Sequence, residues 1–204
     1  MSDQPEVFAD IGRYYDGLVA RYGHSHLACD YGRSESQRRK FAVLSEVLPL
    51  SGKSVLDVGC GFADYASYLQ QHCTAVEYHG VDLSPAMVAA AQKLHPDLAI
   101  RRLNILEEDP GTYDVVTANG IFYLLGTEAP ALMRSLITRM FALAREAVAF
   151  NSLSSWAADP QSGEYYADPA ETMDFCRTMT PWVILRHDYH PRDFTVYMYR
   201  AART

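Results

Sequence analysis

A short, mostly apolar run ends in two closely spaced glycines near residue 60. Residues 54–59 read SVLDVG, and Cys60 and Gly61 follow directly. Apolar residues over that length are typical of a strand buried on both faces of a sheet. Gly59 and Gly61 allow the backbone to turn sharply and let a ligand approach it without a Cβ in the way. The run therefore predicts an α/β protein with a binding site at the carboxyl end of this strand.

Strands and helices alternate along most of the chain, which predicts a mostly parallel sheet. The last two strands are too close for a crossover helix and are expected to form an antiparallel hairpin. We expect one domain over residues 1–204, with a two-helix cap at 1–50 and the core at 51–204. The predicted strands are 54–59, 77–83, 98–104, 113–120, 146–152, 180–188 and 193–200. The predicted helices are 6–22, 34 to about 49, 63–73, 85 to about 95, about 128–145, and 169 to about 179.

Two helix starts carry a local signature. Ser34 with Gln37 three residues later resembles a capping box, so Ser34 is expected to be the N-cap of the second helix. Ser84 followed by Pro85 fits a helix whose first position is a proline.

Charge and composition exclude several classes of protein. The 204 residues carry a net charge of −7, and 49% of them are hydrophobic. An acidic chain is not expected to bind nucleic acid, because its field repels phosphates. The run Arg38, Arg39, Lys40 is interpreted as a solvated helical face. We expect no transmembrane helix, no metal site among the scattered histidines and cysteines, and a cytoplasmic location with free thiols.

Asp82 ends the second predicted strand, where a carboxylate can accept hydrogen bonds from both hydroxyls of a ribose. The position of a third dinucleotide-binding glycine is held by Asp64. Asp57 adds a second acidic group beside the glycines. These acids disfavour a pyrophosphate and favour a cationic nucleoside such as S-adenosylmethionine (SAM).

At this point the chain resembles the class I SAM-dependent methyltransferases, which have a Rossmann-like fold. VLDVGCGFADY is similar to the first family motif, GVDLSPAMV to the second, RRLNILEED to the adenine-contacting segment and YDVVTANGIFYLL to the fourth motif. The family commonly has Asp where this chain has Asn104, whose amide oxygen can still accept a hydrogen bond from the adenine amino group. The resemblance implies a SAM site formed by Tyr15, Asp57, Gly59, Gly61, Asp82, Leu83, Met87, Asn104, Ile105, Asn119 and Gly120.

The resemblance covers residues 54–151 well and leaves the acceptor open. No N-P-P-Y or D-P-P-Y motif follows the fourth strand. Its absence argues against the methyltransferases that use this motif to methylate amino groups of nucleobases or of glutamine. Without a large insertion, the two N-terminal helices and the loop 152–168 must roof a small, enclosed pocket for a small-molecule O or N acceptor.

The roof is rich in tyrosines, whose aromatic faces attract a sulfonium. Tyr165 and Tyr166 are the predicted catalytic residues, acting by positioning. His190 is an alternative base or a turn residue.

Other functions stay open at this stage. The tyrosine-rich roof and the closing segment HDYHPRDFTVYMYR are similar to SAM cyclases that form azetidine-2-carboxylate and release methylthioadenosine. A non-catalytic SAM-binding module and an NAD-dependent oxidoreductase are two further possibilities, the latter disfavoured by Asp64. The sequence does not fix the oligomeric state.

Overall fold

The structure, a computed structural model, describes residues 4–203. Its six α-helices in this range are α1 Gln4–Tyr22, α2 Ser34–Ser45, α3 Asp64–His72, α4 Pro85–Leu94, α5 Ala129–Leu143 and α6 Pro169–Arg177. Its seven strands are β1 Ser54–Val58, β2 Glu77–Asp82, β3 Ala99–Arg102, β4 Tyr113–Ala118, β5 Ala144–Leu153, β6 Val183–Arg186 and β7 Asp193–Tyr199. None of these helices is long and apolar enough to cross a lipid bilayer.

The strands form one sheet in the order β3-β2-β1-β4-β5-β7-β6. Strands β1 to β5 all run parallel to one another. Strand β7 runs antiparallel to both β5 and β6 and lies between them. This confirms the predicted Rossmann-like sheet of seven strands with an antiparallel C-terminal hairpin.

Two hydrophobic clusters cover the two faces of the sheet, because successive side chains of a strand point to opposite faces. Leu56 and Val58 of β1 belong to the cluster that contains the buried face of α5. Val55 of the same strand belongs to the cluster that contains residues of α2 and α3. Helices therefore cover both faces, and the carboxyl ends of β1, β2 and β4 remain at one edge of the sheet.

Most element bounds differ from the predicted ones by one or two residues. The capping-box prediction for α2 is wrong: Ser34 is the first helical residue, and Arg33 is the N-cap, with an extended φ of −147° and no side-chain hydrogen bond. Helix α2 also ends at Ser45, before the predicted stop near Pro49. The start of α4 is as expected, since the Ser84 hydroxyl accepts a hydrogen bond from the Met87 amide at 3.0 Å.

Helix α1 is anchored at the amino end of α4, beside the end of β2. Asp16 accepts a hydrogen bond of 2.5 Å from the Ser84 hydroxyl and one of 3.1 Å from the Ala86 amide. The carboxylate thus supplements the cap of α4 from another helix, where the helix dipole favours negative charge. The contact positions α1 over the strand ends.

Candidate active site

A cavity of about 410 Å³ opens at the carboxyl ends of β1, β2 and β4. It is bounded by these strand ends and by segments of α1, α2 and the loop between them. All eleven residues predicted to form the SAM site line it: Tyr15, Asp57, Gly59, Gly61, Asp82, Leu83, Met87, Asn104, Ile105, Asn119 and Gly120. The structure thus brings together residues from α1, from α4 and from the carboxyl ends of the four strands β1 to β4.

The glycine turn after β1 is held against β2 and has no room for a side chain. The amides of Gly59 and Cys60 both donate to the Val81 carbonyl, at 2.8 and 3.0 Å. Gly59 has a φ of +73°, and a Cβ placed there would lie 2.4 Å from Cγ2 of Ile121. Both the backbone conformation and the close approach require glycine at this position.

Asp82 is fixed at the end of β2 by backbone amides. Its Oδ2 accepts from the Gly61 amide at 2.8 Å, and its Oδ1 accepts from the Ser84 amide at 2.9 Å. Burial raises the pKa of Asp82, while these backbone hydrogen bonds act in the opposite direction. Each carboxylate oxygen keeps a further lone pair, so Asp82 can still accept hydrogen bonds from a ligand in the cavity.

Asp57 lies on β1, below the glycine turn, and is 3% exposed. Burial raises the pKa of Asp57 to about 7, despite hydrogen bonds from the Tyr78 and Thr117 hydroxyls at 2.6 and 3.3 Å. The negative charge of Asp82 contributes in the same direction as burial. A cation in the cavity would favour the ionised form of Asp57.

The buried side-chain amide of Asn151 fixes the segment after β4. Oδ1 of Asn151, on β5, accepts from the Gly120 amide at 2.7 Å, and its Nδ2 donates to Oδ1 of Asn119 at 2.5 Å. On the opposite side, Oδ1 of Asn104 accepts from the Leu106 amide at 3.1 Å. Asn151, which also lines the cavity, was not foreseen from the sequence.

Helix α1 is joined to the segment after β4 by a chain of hydroxyls. The Tyr15 and Tyr123 hydroxyls lie 2.8 Å apart. Asp30, in the loop after α1, accepts from Tyr123 at 2.8 Å and from Tyr14 at 2.9 Å. Burial strongly raises the pKa of Tyr15 and of Tyr123, so both remain neutral donors.

Tyr165 and Tyr166 are not among the residues that line the cavity, so their catalytic role stays a prediction. Tyr165 packs against the hydrophobic core. The Tyr166 hydroxyl is engaged by Glu164, Arg192 and the Gln161 amide. Glu164 and Arg192 line the cavity in their place. Nothing in this geometry assigns the two tyrosines a catalytic role.

A charged cluster that lines the cavity where α2 approaches the start of β7 was missed from the sequence. Lys40 of α2 is 8% exposed and places its Nζ 2.9 Å from Oδ1 of Asp193. Arg38 and Arg39 are exposed as expected, but the interpretation of Lys40 as a solvated residue is wrong. A signal existed: Lys40 lies four residues before Leu44 and so shares the apolar face of α2.

Comparison with known proteins identifies the family. Residues 56–146 match the family model described as "Methyltransferase domain". A Mycobacterium tuberculosis protein provisionally named as a methyltransferase, Rv1506c, is 31% identical over 156 residues, which is 73% of this chain and 94% of the relative. Trans-aconitate 2-methyltransferase of Escherichia coli is 33% identical over 87 residues, 42% of this chain and 34% of that enzyme.

Solved structures share the fold at low sequence identity. Magnesium protoporphyrin IX methyltransferase from Synechocystis, crystallised with bound SAM, has a TM-score of 0.70 at 15% identity, over 96% of this chain and 97% of that one. The plantazolicin methyltransferase BamL, in complex with a triazolic desmethylPZN analogue and S-adenosylhomocysteine (SAH), has a TM-score of 0.64 at 13% identity, over 97% of this chain and 99% of that one. The family model, the Mycobacterium tuberculosis relative and the shared fold all indicate the same family. The chain belongs to the SAM-dependent methyltransferases of Rossmann-like fold.

Proposed function

We propose that this protein transfers the methyl group of SAM to an oxygen or nitrogen of a small molecule in the cavity at the strand ends. The observation that carries the proposal is the convergence of all eleven expected SAM-site residues on that single cavity. In this assignment Asp82 accepts hydrogen bonds from the ribose hydroxyls, Leu83 and Met87 flank the adenine, and Asn104 accepts from its amino group.

The methionine end of SAM would lie over the glycine turn. Gly61 leaves the backbone accessible there, since a Cβ at this position would meet only Cys29 and Met87 at ordinary contact distances, and the Asp57 carboxylate attracts the ammonium group. Asn119 and Gly120 are held beside this position by Asn151. The carboxylates of Asp57, Asp64 and Asp82 all line the cavity, which suits a sulfonium and disfavours a pyrophosphate.

The size of the site supports a small acceptor. The cavity has a volume of about 410 Å³, within the range of small-molecule sites, and SAM and acceptor must share it. Methyl transfer needs the nucleophile, the methyl carbon and the sulfur in line, and alignment alone supplies a large part of the rate. The names of the relatives span a porphyrin, trans-aconitate and plantazolicin, so likeness does not select the acceptor.

The first experiment uses purified protein with SAM alone, followed by mass spectrometry. We expect SAM to bind and to remain intact until an acceptor is added, and SAH to appear only with an acceptor. Steady, enzyme-dependent release of methylthioadenosine without an acceptor would overturn methyl transfer in favour of SAM cyclisation or cleavage.

Two variants make that experiment specific. Asp82→Ala should abolish SAM binding, because it removes the predicted ribose acceptor. Glu77→Ala is the matched control, since Glu77 is an exposed acid at the other end of the same strand. Equal SAM affinity in the two variants would refute the assigned site.

A further inference from the structure

His190 and Asp193 form an imidazole–carboxylate pair at the edge of the cavity. Nδ1 of His190 lies 2.5 Å from Oδ2 of Asp193 and 3.2 Å from the amide nitrogen of Arg192. So short an approach to a carboxylate oxygen favours the proton on Nδ1, which leaves Nε2 of the neutral ring with its lone pair. Asp193 is the first residue of β7, pairs with Leu153 of β5 and is 2% exposed. A carboxylate fixed in this way holds the imidazole ring in one orientation and stabilises the imidazolium once it has taken a proton.

Lys40 keeps this carboxylate ionised. Its Nζ lies 2.9 Å from Oδ1 of Asp193, on the oxygen that the imidazole does not approach. Burial by itself would raise the pKa of Asp193, but the contacts with His190 and Lys40 hold it below its ordinary value. The two neighbours of Asp193 come from different elements, Lys40 from α2 and His190 from the turn before β7, so the arrangement is built by the fold.

The other ring nitrogen of His190 is left for a ligand. Within residues 4–203, Nε2 of His190 has no hydrogen-bond partner, whereas Nε2 of His187 lies 2.7 Å from the Ser154 hydroxyl. His190 lines the same cavity as the glycine turn, and no other histidine of the described chain does. The charged groups that share its side of the cavity are Lys40, Glu164, Arg192 and Asp193.

We propose that His190 is the catalytic base and that the acceptor is a hydroxyl group, with Asp193 as its positioning residue. This inference rests on the proposed function. An oxygen lone pair of the acceptor attacks the methyl carbon, and the carbon–sulfur bond breaks with its electron pair going to sulfur. The hydroxyl proton passes to Nε2 of His190. The products are the methyl ether, neutral SAH and an imidazolium paired with Asp193, which later releases its proton to water.

The chemistry selects a hydroxyl over a carboxylate. A carboxylic acid is already ionised near neutral pH and needs no base, whereas a hydroxyl group keeps its proton there. A neutral imidazole within reach of the proton is suited to remove it during the transfer. For an ionised acceptor, positioning alone would suffice. The His190–Asp193 pair therefore supplies a base that only an acceptor carrying a proton needs.

The catalytic test measures SAH formation with phenol and catechol, and with benzoate as the carboxylate probe. We expect turnover of the hydroxyl probes and a loss of about a hundred- to ten-thousandfold in kcat for His190→Gln, with KM for SAM unchanged. His187→Gln is the matched control and should retain wild-type kcat. Turnover of benzoate in preference to the phenols, or less than a threefold loss in His190→Gln, would overturn the proposal.

A second measurement needs no acceptor. Diethyl pyrocarbonate should modify His190 at its free nitrogen, and bound SAH should slow that modification, as read by peptide mass spectrometry. An unreactive His190, or a rate that SAH leaves unchanged, would overturn the proposal. Asp193→Asn should lower kcat and leave KM for SAM unchanged, because the imidazole loses the carboxylate that orients it; an unchanged kcat would exclude Asp193 as a positioning residue.

The two proposals fail in distinguishable ways. If the wild-type protein does not bind SAM, the proposed function is wrong. If it binds SAM and methylates an acceptor while His190→Gln remains fully active, only the role of His190 is wrong.

Discussion

The hydroxyl oxygens of Tyr15 and Tyr123 lie 2.8 Å apart, and this contact links helix α1 to the segment that follows β4. Both side chains line the cavity. Asp30 accepts a further hydrogen bond from Tyr123 at 2.8 Å. The N-terminal cap is thus closed over the strand ends by polar contacts, which open more easily than the packed core beneath them.

Tyr123→Phe should loosen the cap, because it removes two hydrogen bonds and leaves the ring in place. We expect a loss of about 1–3 kcal/mol in unfolding free energy and faster SAM dissociation, measured by denaturant titration and stopped-flow fluorescence. Tyr14→Phe is the control: Tyr14 is exposed and loses a single bond to Asp30. Identical SAM dissociation rates in the two variants would contradict the prediction.

Gly59→Ala should disrupt the turn after β1. Alanine would be forced to a φ of +73° with its Cβ 2.4 Å from Ile121. The backbone strain alone costs about 1–3 kcal/mol, and the steric clash adds to it. Thermal unfolding checks the loss.

Gly111→Ala separates the two causes of the Gly59 effect. Gly111 has a φ of +96°, and a Cβ at this position would meet no atom within 4 Å, so only the backbone cost applies there. Equal losses of stability at the two positions would exclude a steric contribution from Ile121.

Asp57 should make the ligand-free protein less stable as the pH rises from about 4 to about 7. Its pKa is raised from 3.8 to about 7 on folding, so the folded state binds more protons than the unfolded state in this range. The unfolding free energy then falls with increasing pH, by about 4 kcal/mol in total for a shift of this size. Asp57→Asn should lack this component when unfolding is measured across the range, and an identical pH slope in both proteins would refute it.

SAM binding should weaken on acidification below pH 7. If the ammonium group of SAM is held by ionised Asp57, binding requires that carboxyl to lose its proton, and the affinity falls about tenfold per pH unit below its pKa. Calorimetry in two buffers of different ionisation enthalpy should register proton release near pH 6. Asp57→Asn should bind SAM with no such proton release; release of the same size would assign the proton to another group.

Lys40→Met should destabilise the protein strongly. It leaves the Asp193 carboxylate buried without its ammonium partner, and breaking such a pair costs about 3–5 kcal/mol. Chemical denaturation provides the measurement. Arg38→Met, on the exposed face of the same helix, should change stability by less than about 0.5 kcal/mol. Equal effects at the two positions would show that the buried pair adds nothing.

Local pattern was sufficient to predict the sheet. Short apolar runs predict the buried strands and helical spacing predicts the helices, and the residues around Gly59 and Asp82 lie at strand ends that the parallel topology must bring together. The resemblance to family motifs supplied the eleven residues of the predicted SAM site, and all of them line the one cavity.

The charged cluster around Lys40 and Asp193 could not be predicted in the same way. Lys40 and Asp193 meet only because α2 packs against the sheet near β7, and no spacing rule connects them. Tyr166 is predicted at the cavity because it lies on the loop expected to roof it, and the sequence pattern does not reveal that its hydroxyl contacts Glu164 and Arg192. Arg33 replaces Ser34 as the N-cap because the chain enters α2 one residue earlier than the side-chain signature suggests.

Strand β7 lies between β5 and β6 although it follows both in sequence, and this order governs when the site can become competent. The Tyr199 hydroxyl reaches the Val47 carbonyl across 152 residues of chain. Such contacts close large loops and form late in folding. During synthesis the residues proposed for SAM, which end at Gly120, emerge before His190 and Asp193. A nascent chain that lacks β7 therefore contains the residues proposed to bind the cofactor without the pair proposed for catalysis.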